Sequence, residues 1–307
     1  MSGDSLRVAG NAMAWEAHDW PCPLCGGSNR RFIGRRGGEA HRENHGVVTD
    51  VVRCFECGCY YTHPTLVPTA NPYARETAAD YFRLHNPDEK REAGRRLAAV
   101  AESLLGRKGT MLELGCGRGE LLEGARDVGW SVLGIEMTPA FAADAESRGI
   151  VVEHKPVETA QLLERQFDVI LFAAILEHLY RPIDVLRRAR RALPAGGLIF
   201  IDVPNEASLT MILGNLYMRA RGRDWCVNLS PTFSPFHVVG FTASSLRRGL
   251  ERSGFEVLQL AKPRWCNALP QPRSVTEIIE HTGLTAASWL GSNLGLGDGI
   301  CCWARAV

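Results

Sequence analysis

A glycine-rich stretch at residues 112–125, LELGCGRGELLEGA, has the residue types of a ligand-binding turn. Gly115, Gly117 and Gly119 stand between an apolar run and a pattern typical of a helix start. Such a turn lets the backbone approach a ligand closely and directs helix-terminal N–H groups toward it. Glu136 follows the next apolar run, where a carboxylate can accept both hydroxyls of a ribose. The pattern predicts a site for an adenosine-containing cofactor, and the alternative is a tight structural turn.

The spacing within this loop separates the candidate cofactors. A dinucleotide-binding loop reads G-x-G-x-x-G, whereas this loop reads G-x-G-x-G and has Glu113 in the apolar run before it. A carboxylate there would repel a pyrophosphate, but it suits the ammonium group of a sulfonium nucleoside with an amino-acid tail. S-Adenosylmethionine is therefore the predicted ligand.

Two C-x-x-C-G motifs, CPLCGG at 22–27 and CFECGC at 54–59, have the spacing of a zinc site. Two such turns supply the four thiolates of a closed tetrahedral site, so the predicted ion is structural. The predicted ligands are Cys22, Cys25, Cys54 and Cys57, with Cys59 as the substitute. A redox pair is the weaker interpretation, because it needs only one motif and a thioredoxin-like context.

The segment between these motifs carries many basic side chains: Arg30, Arg31, Arg35, Arg36, His41, Arg42 and His45. We expect a solvated hairpin here. The alternative is contact with a phosphorylated or nucleotide-linked substrate.

Short apolar runs alternate with helical patterns through the rest of the chain. Strands are predicted at 110–114, 131–135, 150–153, 167–172, 197–203 and 255–261, and in the last apolar run, GDGICCWARA. Helices are predicted at 119–129, 139–148, 183–193, 242–253 with Thr242 as N-cap, and 275–290. This alternation predicts βαβ units and a doubly wound α/β domain whose parallel sheet is buried on both faces.

Four segments in this order resemble the class I S-adenosylmethionine-dependent methyltransferases: LELGCGRGELL, GIEMTP, the segment from FDVILF to VPN, and PFHVVGFTASSL. The resemblance covers about residues 90–262 and implies a Rossmann-like, seven-stranded sheet. It also implies the residues that hold the cofactor, which are Glu113, Gly115, Gly117, Gly119, Glu136, Met137, Val157, Ala173 and Glu177.

Composition and periodicity also divide the chain, because residues 1–70 are rich in Cys, Arg, His and Gly and show little periodicity. Residues 1–70 are expected to form the four-cysteine zinc ribbon and a linker, and residues 71–307 the methyltransferase domain. Within that domain an insertion around 206–241 is expected to cover the substrate, and a helix and the last strand to complete the C-terminus.

Two histidines are the candidate catalytic residues, because ligands of an open α/β sheet bind at the carboxyl ends of its strands. His178 follows the fourth strand of the predicted domain, and His237 lies in the insertion. Either imidazole could take a proton from an acceptor near neutral pH. The alternatives are that His178 orients the cofactor and that His237 packs within its loop.

Charge and composition bear on the partners. Thirty-five basic and 34 acidic residues leave a net charge of +1, which argues against a nucleic-acid partner. RRARR at 187–191 is expected on the solvated face of a helix. Neither a signal peptide nor a long apolar run is present, so we expect a cytoplasmic protein without a membrane partner.

The predicted function is methyl transfer from S-adenosylmethionine to a small molecule, namely a sugar, glycan precursor or secondary metabolite, at O, C or N. The alternative is a zinc-ribbon rRNA base methyltransferase. The sequence leaves the acceptor atom and the oligomeric state open.

Overall fold

A seven-stranded sheet forms the centre of the computed structural model, which describes residues 6–9, 13–72, 86–162, 167–264 and 275–307. Its strands are β7 (Thr110–Leu114), β8 (Ser131–Glu136), β9 (Val151–His154), β10 (Val169–Ala173), β11 (Leu198–Pro204), β13 (Phe255–Ala261) and β14 (Gly299–Ala306). They lie in the order β13-β14-β11-β10-β7-β8-β9. All seven predicted strands are confirmed to within a few residues.

Five neighbouring strands of the sheet run parallel, namely β11, β10, β7, β8 and β9. Strand β14 is antiparallel to both of its neighbours, β11 and β13. The side chains of the central strands are buried on both faces of the sheet, which explains their continuous apolar sequences. The carboxyl ends of β7, β8, β10 and β11 therefore meet at one edge of the sheet.

Seven helices lie in the described part of the chain. They are α1 (Pro87–Leu105), α2 (Glu120–Asp127), α3 (Pro139–Ser147), α4 (Pro182–Ala192), α5 (Leu209–Ala220), α6 (Ala243–Arg252) and α7 (Val275–Asn293). The side chain of Thr242 accepts a hydrogen bond from the N–H of Ser245, and the Ser245 hydroxyl in turn accepts the N–H of Thr242. This capping box confirms the predicted N-cap.

Helices α1 and α5 were not predicted. Helix α1 packs closely on α2, because a Cβ on Gly94 would overlap the carbonyl oxygen of Leu121. Its sequence signals were present: Asn86 caps the helix, Pro87 begins it, and Gly106 ends it with φ +74°.

The N-terminal part forms two small sheets with one strand of the insertion, and none of their seven strands was predicted. β1 (Leu6–Ala9), β2 (Ala14–His18) and β6 (Thr65–Pro68) form one, and β3 (Arg30–Arg36), β4 (Thr49–Cys54), β5 (Tyr60–Thr62) and β12 (Val239–Gly240) form the other. Strand β12 belongs to the insertion and pairs with β5 through Val239 and Tyr61. The two predicted parts of the chain thus share a sheet.

The prediction of a solvated hairpin is wrong for part of the basic segment. β3 and β4 do form a hairpin, but Arg36 is largely buried against the insertion. The prediction for RRARR is also only partly correct, because Arg188 and Arg190 donate hydrogen bonds to backbone carbonyls. Residues 73–85, near the predicted start of the methyltransferase domain, lie outside the described residues.

Candidate cofactor and acceptor site

The glycine loop between β7 and α2 adopts a conformation that requires glycine. Gly115, Gly117 and Gly119 have φ angles of +69°, +55° and +76°, a region that other residues rarely adopt. A Cβ on Gly115 would also lie 2.7 Å from Cδ1 of Ile175. Glycine is therefore required both by the backbone angles of the loop and by its close contact with Ile175 at the carboxyl end of β7.

Glu136, at the end of β8, holds this loop. Its carboxylate accepts the N–H of Gly117 at 2.9 Å and the N–H of Thr138 at 2.7 Å. Each oxygen retains a further lone pair that a ribose hydroxyl could use. The predicted ribose ligand thus also orders the glycine loop and the start of α3.

Glu113, in β7, lies buried beneath the loop. Its Oε2 atom has no hydrogen-bond partner among the described residues. Burial raises its pKa to about 8, although the nearby Lys90 opposes this shift. A buried carboxylate with an unused oxygen fits the ammonium group of S-adenosylmethionine, and the glycine cradle fits its nucleoside.

The remaining predicted cofactor contacts have different environments. Met137 follows Glu136 and is 37% exposed, so its side chain is free to cover a ligand. Ala173 is half-buried and ends β10. Val157 is packed in the core, and its carbonyl accepts a hydrogen bond from Arg188.

The structure brings together the two candidate catalytic histidines. Oε1 of Glu177 lies 3.9 Å from Nε2 of His178 and 3.9 Å from Nε2 of His237, and the two imidazole rings are 4.8 Å apart. Glu177 and His178 lie in a 3₁₀ turn directly after β10, and the Val238 N–H donates to the Glu177 carbonyl at 2.9 Å. Glu177, predicted as a cofactor contact, is thus a neighbour of both histidines.

Burial governs the protonation of this cluster. Desolvation lowers the pKa of His178 to about 4 and that of His237 to about 3. Burial, together with the charges of Asp202 and Glu206, raises the pKa of Glu177 to about 8. At neutral pH the cluster by itself therefore holds two neutral imidazoles and a carboxyl group that is largely protonated.

Asp202 is an acidic residue at this edge that was not predicted. It pairs in register with Ala173 and lines a cavity of about 210 Å³. Burial raises its pKa to about 6, and the Cys301 thiol donates to its Oδ1 at 3.3 Å. The signal in the sequence was a single acid within the apolar run LIFIDV.

The four predicted zinc ligands converge. The Sγ atoms of Cys22 and Cys57 are 3.5 Å apart, as are those of Cys25 and Cys54, and all four sulfurs lie within 4.8 Å of one another. In the first motif the N–H of Gly27 donates to the Cys25 sulfur at 3.4 Å. Four converging thiols fit a structural zinc ion.

The predicted substitute ligand, Cys59, is also fully buried, and its thiol donates to the Tyr60 carbonyl. Its sulfur is outside the group of four.

The ribbon is anchored to the insertion by more than the β5–β12 pair. The Arg36 guanidinium donates to the Leu229 carbonyl at 3.0 Å and lies 5.1 Å from the Phe233 ring centre. The Thr232 hydroxyl accepts the Val47 N–H at 3.0 Å and donates to the Val47 carbonyl at 2.8 Å. The ribbon therefore supports the loop that carries His237.

Comparisons with known proteins agree with this architecture. The family model described as "Methyltransferase domain" matches residues 83–260. The ubiquinone biosynthesis O-methyltransferase of Pseudomonas paraeruginosa is 34% identical over 119 residues, which are 36% of this chain and 51% of that protein. That of Actinobacillus pleuropneumoniae is 25% identical over 181 residues, 54% of this chain and 76% of that protein. The chain spans about half the length of the Pseudomonas relatives that it matches.

Two solved structures share the fold. A SAM-dependent methyltransferase from Archaeoglobus fulgidus superposes with a TM-score of 0.51 and 20% identity, over 74% of this chain and 96% of that one. The plantazolicin methyltransferase BpumL in complex with SAH superposes with a TM-score of 0.50 and 16% identity, over 77% of this chain and 91% of that one. The family match covers more than half of the chain, and the sheet order and the glycine loop agree with it. The chain belongs to the class I S-adenosylmethionine-dependent methyltransferase family.

Proposed function

We propose that this protein transfers the methyl group of S-adenosylmethionine to an oxygen atom of a small-molecule acceptor. The observation that carries the proposal is the position of the Glu177, His178 and His237 cluster. It follows the carboxyl end of β10, next to β7 and its glycine loop. Oxygen is the favoured acceptor atom, because curated relatives are named O-methyltransferases.

The cofactor is proposed to lie across the glycine loop, with its ribose at Glu136 and its ammonium group toward Glu113. Met137, Val157, Ala173 and Glu177 are proposed as the remaining contacts. Methyl transfer is an in-line displacement, so positioning the acceptor oxygen against the methyl carbon supplies much of the catalysis. The chain contributes by orienting both reactants and by excluding water.

His178 and His237 are proposed to contact the acceptor hydroxyl and to assist its deprotonation. Both imidazoles are neutral at pH 7, so each has one ring nitrogen that can accept a proton. The proton leaves the acceptor oxygen as the new C–O bond forms and the C–S bond breaks.

The body of the acceptor is proposed to occupy the cavity of about 400 Å³ between the ribbon and α4. Tyr180 and Val238 line this cavity, and each lies within two residues of a candidate catalytic histidine. Trp20 of the ribbon also lines the cavity, and its ring and that of Tyr180 pack edge-to-face. The ribbon (residues 1–70) and the methyltransferase domain (residues 71–307) would then share the acceptor site.

The location of the protein is proposed to be the cytoplasm. The described cysteines are all free, and the four that converge suit a reducing compartment. No helix in the described parts of the chain has the length and apolar character needed to cross a membrane.

The proposal is tested by incubating the purified chain with S-adenosylmethionine and a panel of phenols, carboxylic acids and sugars, and measuring release of S-adenosylhomocysteine. We expect turnover with at least one acceptor. We also expect His237→Gln to reduce kcat by roughly 100-fold or more, while calorimetry shows unchanged affinity for S-adenosylmethionine. Turnover on RNA alone would favour the rRNA alternative, to which the ubiquinone O-methyltransferases and BpumL lend no support.

A further inference from the structure

The cluster of Glu177, His178 and His237 has the composition of a metal site. It offers one carboxylate and two imidazoles, and its ligand atoms all lie within 4.8 Å of one another. A tetrahedral zinc ion with bonds of about 2.0–2.2 Å keeps its ligand atoms roughly 3.3–3.6 Å apart. The two carboxylate-to-imidazole distances, both 3.9 Å, exceed this range by an amount that small side-chain rotations can close.

A second observation points to a cation at this place. Oε2 of Glu177 is fully buried and has no hydrogen-bond partner among the described residues. The nearby charges that act on Glu177 are those of two further acids, Asp202 and Glu206. A buried carboxyl oxygen without a hydrogen-bond partner is costly, and a cation bound at this place would supply the missing partner.

We propose that Glu177, His178 and His237 bind a divalent transition-metal ion such as Zn²⁺, at a site separate from the four cysteines. Two imidazoles with one carboxylate favour such an ion over Mg²⁺ or Ca²⁺, which take oxygen ligands. The set of three protein ligands leaves a coordination position open, as in catalytic zinc sites.

The surroundings hold the three ligands in place. His178 forms hydrogen bonds to the backbone at Pro235 and Phe236, the kind of contact that orients an imidazole toward a metal ion. The backbone N–H of His237 donates to the Ser230 hydroxyl at 3.2 Å. The backbone N–H of Val238 donates to the Glu177 carbonyl. The loop of His237 is thus tied directly to the turn that carries the other two ligands.

The role of the ion rests on the proposed methyl transfer, whereas its binding does not. An acceptor hydroxyl bound at the open coordination position of the ion would become more acidic. With the ion bound, His178 and His237 would act as its ligands and the ion would take over their proposed part in the deprotonation. The acceptor class that follows is an alcohol, phenol or carboxylic acid whose oxygen can also ligate a metal.

The test counts metal ions in the full-length, untagged protein after dialysis against Zn²⁺ and then against metal-free buffer. We expect two zinc ions per chain by mass spectrometry of the metal content, one for each cluster. His237→Ala and Glu177→Gln should each reduce the count to one, and the double variant Cys22→Ser/Cys57→Ser should also lose one. His154→Ala, which removes an exposed histidine paired with Glu146, should keep both ions.

Cobalt identifies which ion is lost. Co²⁺ bound to thiolates gives an intense charge-transfer band, whereas Co²⁺ bound to imidazole and carboxylate gives weak visible bands alone. His237→Ala should remove the weak bands and keep the intense one. If His237→Ala fails to fold, Glu177→Gln, which retains the side-chain volume, gives the same measurement.

One zinc ion per wild-type chain would overturn the proposal. Two zinc ions that persist in both His237→Ala and Glu177→Gln would also overturn it. Calorimetry with S-adenosylmethionine on the same samples separates this result from the proposed function. Absence of cofactor binding would count against methyl transfer without affecting the metal count.

Discussion

Gly117 donates its backbone N–H to Oε2 of Glu136 at 2.9 Å. One side chain therefore both orders the glycine loop and stands where the ribose of the cofactor is proposed to bind. Glu136→Ala should weaken binding of S-adenosylmethionine roughly 10- to 100-fold, because hydrogen bonds to a charged group contribute about 1.5–3 kcal/mol. Calorimetry measures this. Glu153→Gln, on the neighbouring strand and paired with Lys155, is the control. An unchanged Kd in Glu136→Ala would refute the ribose contact.

Gly115→Ala should abolish or strongly reduce cofactor binding. The substitution imposes a φ of +69° on alanine and also places a Cβ 2.7 Å from Ile175. The matched control is Gly106→Ala, where φ is +74° but nothing lies within 4 Å of the added Cβ. Both variants should lose about 1 kcal/mol of unfolding free energy from backbone strain. Only Gly115→Ala should lose affinity, and equal losses of affinity would contradict the assigned role of the loop.

Stability should depend on the ionisation of Asp202. Its pKa is raised by burial from 3.8 to about 6, so the folded state binds this proton more tightly than the unfolded state. The contribution is fully present below pH 3.8 and is lost as the pH rises through about 6. Relative to the wild type, Asp202→Asn should therefore be more stable at about pH 7.5 than at about pH 4.5, by roughly 1–3 kcal/mol.

Urea denaturation at the two pH values measures this difference. Asp127→Asn, which removes a surface carboxylate paired with Arg95, should behave like the wild type at both. A pH-independent difference between Asp202→Asn and the wild type would show that Asp202 does not titrate in this range.

Two adjacent arginines in β3 should differ in their effect on stability. Arg36→Gln should cost about 2–4 kcal/mol, because it removes the guanidinium hydrogen bonds to the buried carbonyls of Leu229 and Cys226. Arg35→Gln should cost less than about 1 kcal/mol, because Arg35 is half-exposed and pairs with Asp224 at the surface. Chemical denaturation gives both values. Equal costs would show that the ribbon is not anchored through Arg36.

Loss of the ribbon zinc should impair methyl transfer more than cofactor binding. The Cys22→Ser/Cys57→Ser variant removes two of the four predicted zinc ligands, so the ribbon around β5 should lose stability. Strand β5 pairs with Val239, two residues after His237, and this pairing should weaken as well. Hydrogen exchange should increase in residues 226–241 while the Kd for S-adenosylmethionine stays unchanged. Unchanged exchange in this segment would mean that the loop holds its position without the ribbon.

The local patterns predicted the central sheet because its strands are short, apolar and buried on both faces. The zinc ligands were equally predictable, since each C-x-x-C motif is formed within one turn. Helix α1 was missed although Asn86, Pro87 and Gly106 mark its ends. Helix α5 was missed because its exposed face carries Ile212, Leu213 and Leu216, so it lacks the polar face typical of a surface helix.

The sequence by itself determined the glycine loop, the two cysteine motifs and the seven strands of the central sheet, because each depends on residues that are close along the chain. Only the tertiary structure decided that His237 meets Glu177 and His178, that Arg36 is buried under the insertion, and that Val239 pairs with Tyr61. These contacts join segments far apart in sequence. No local periodicity encodes them, since they depend on how the packed sheet and the ribbon place the insertion.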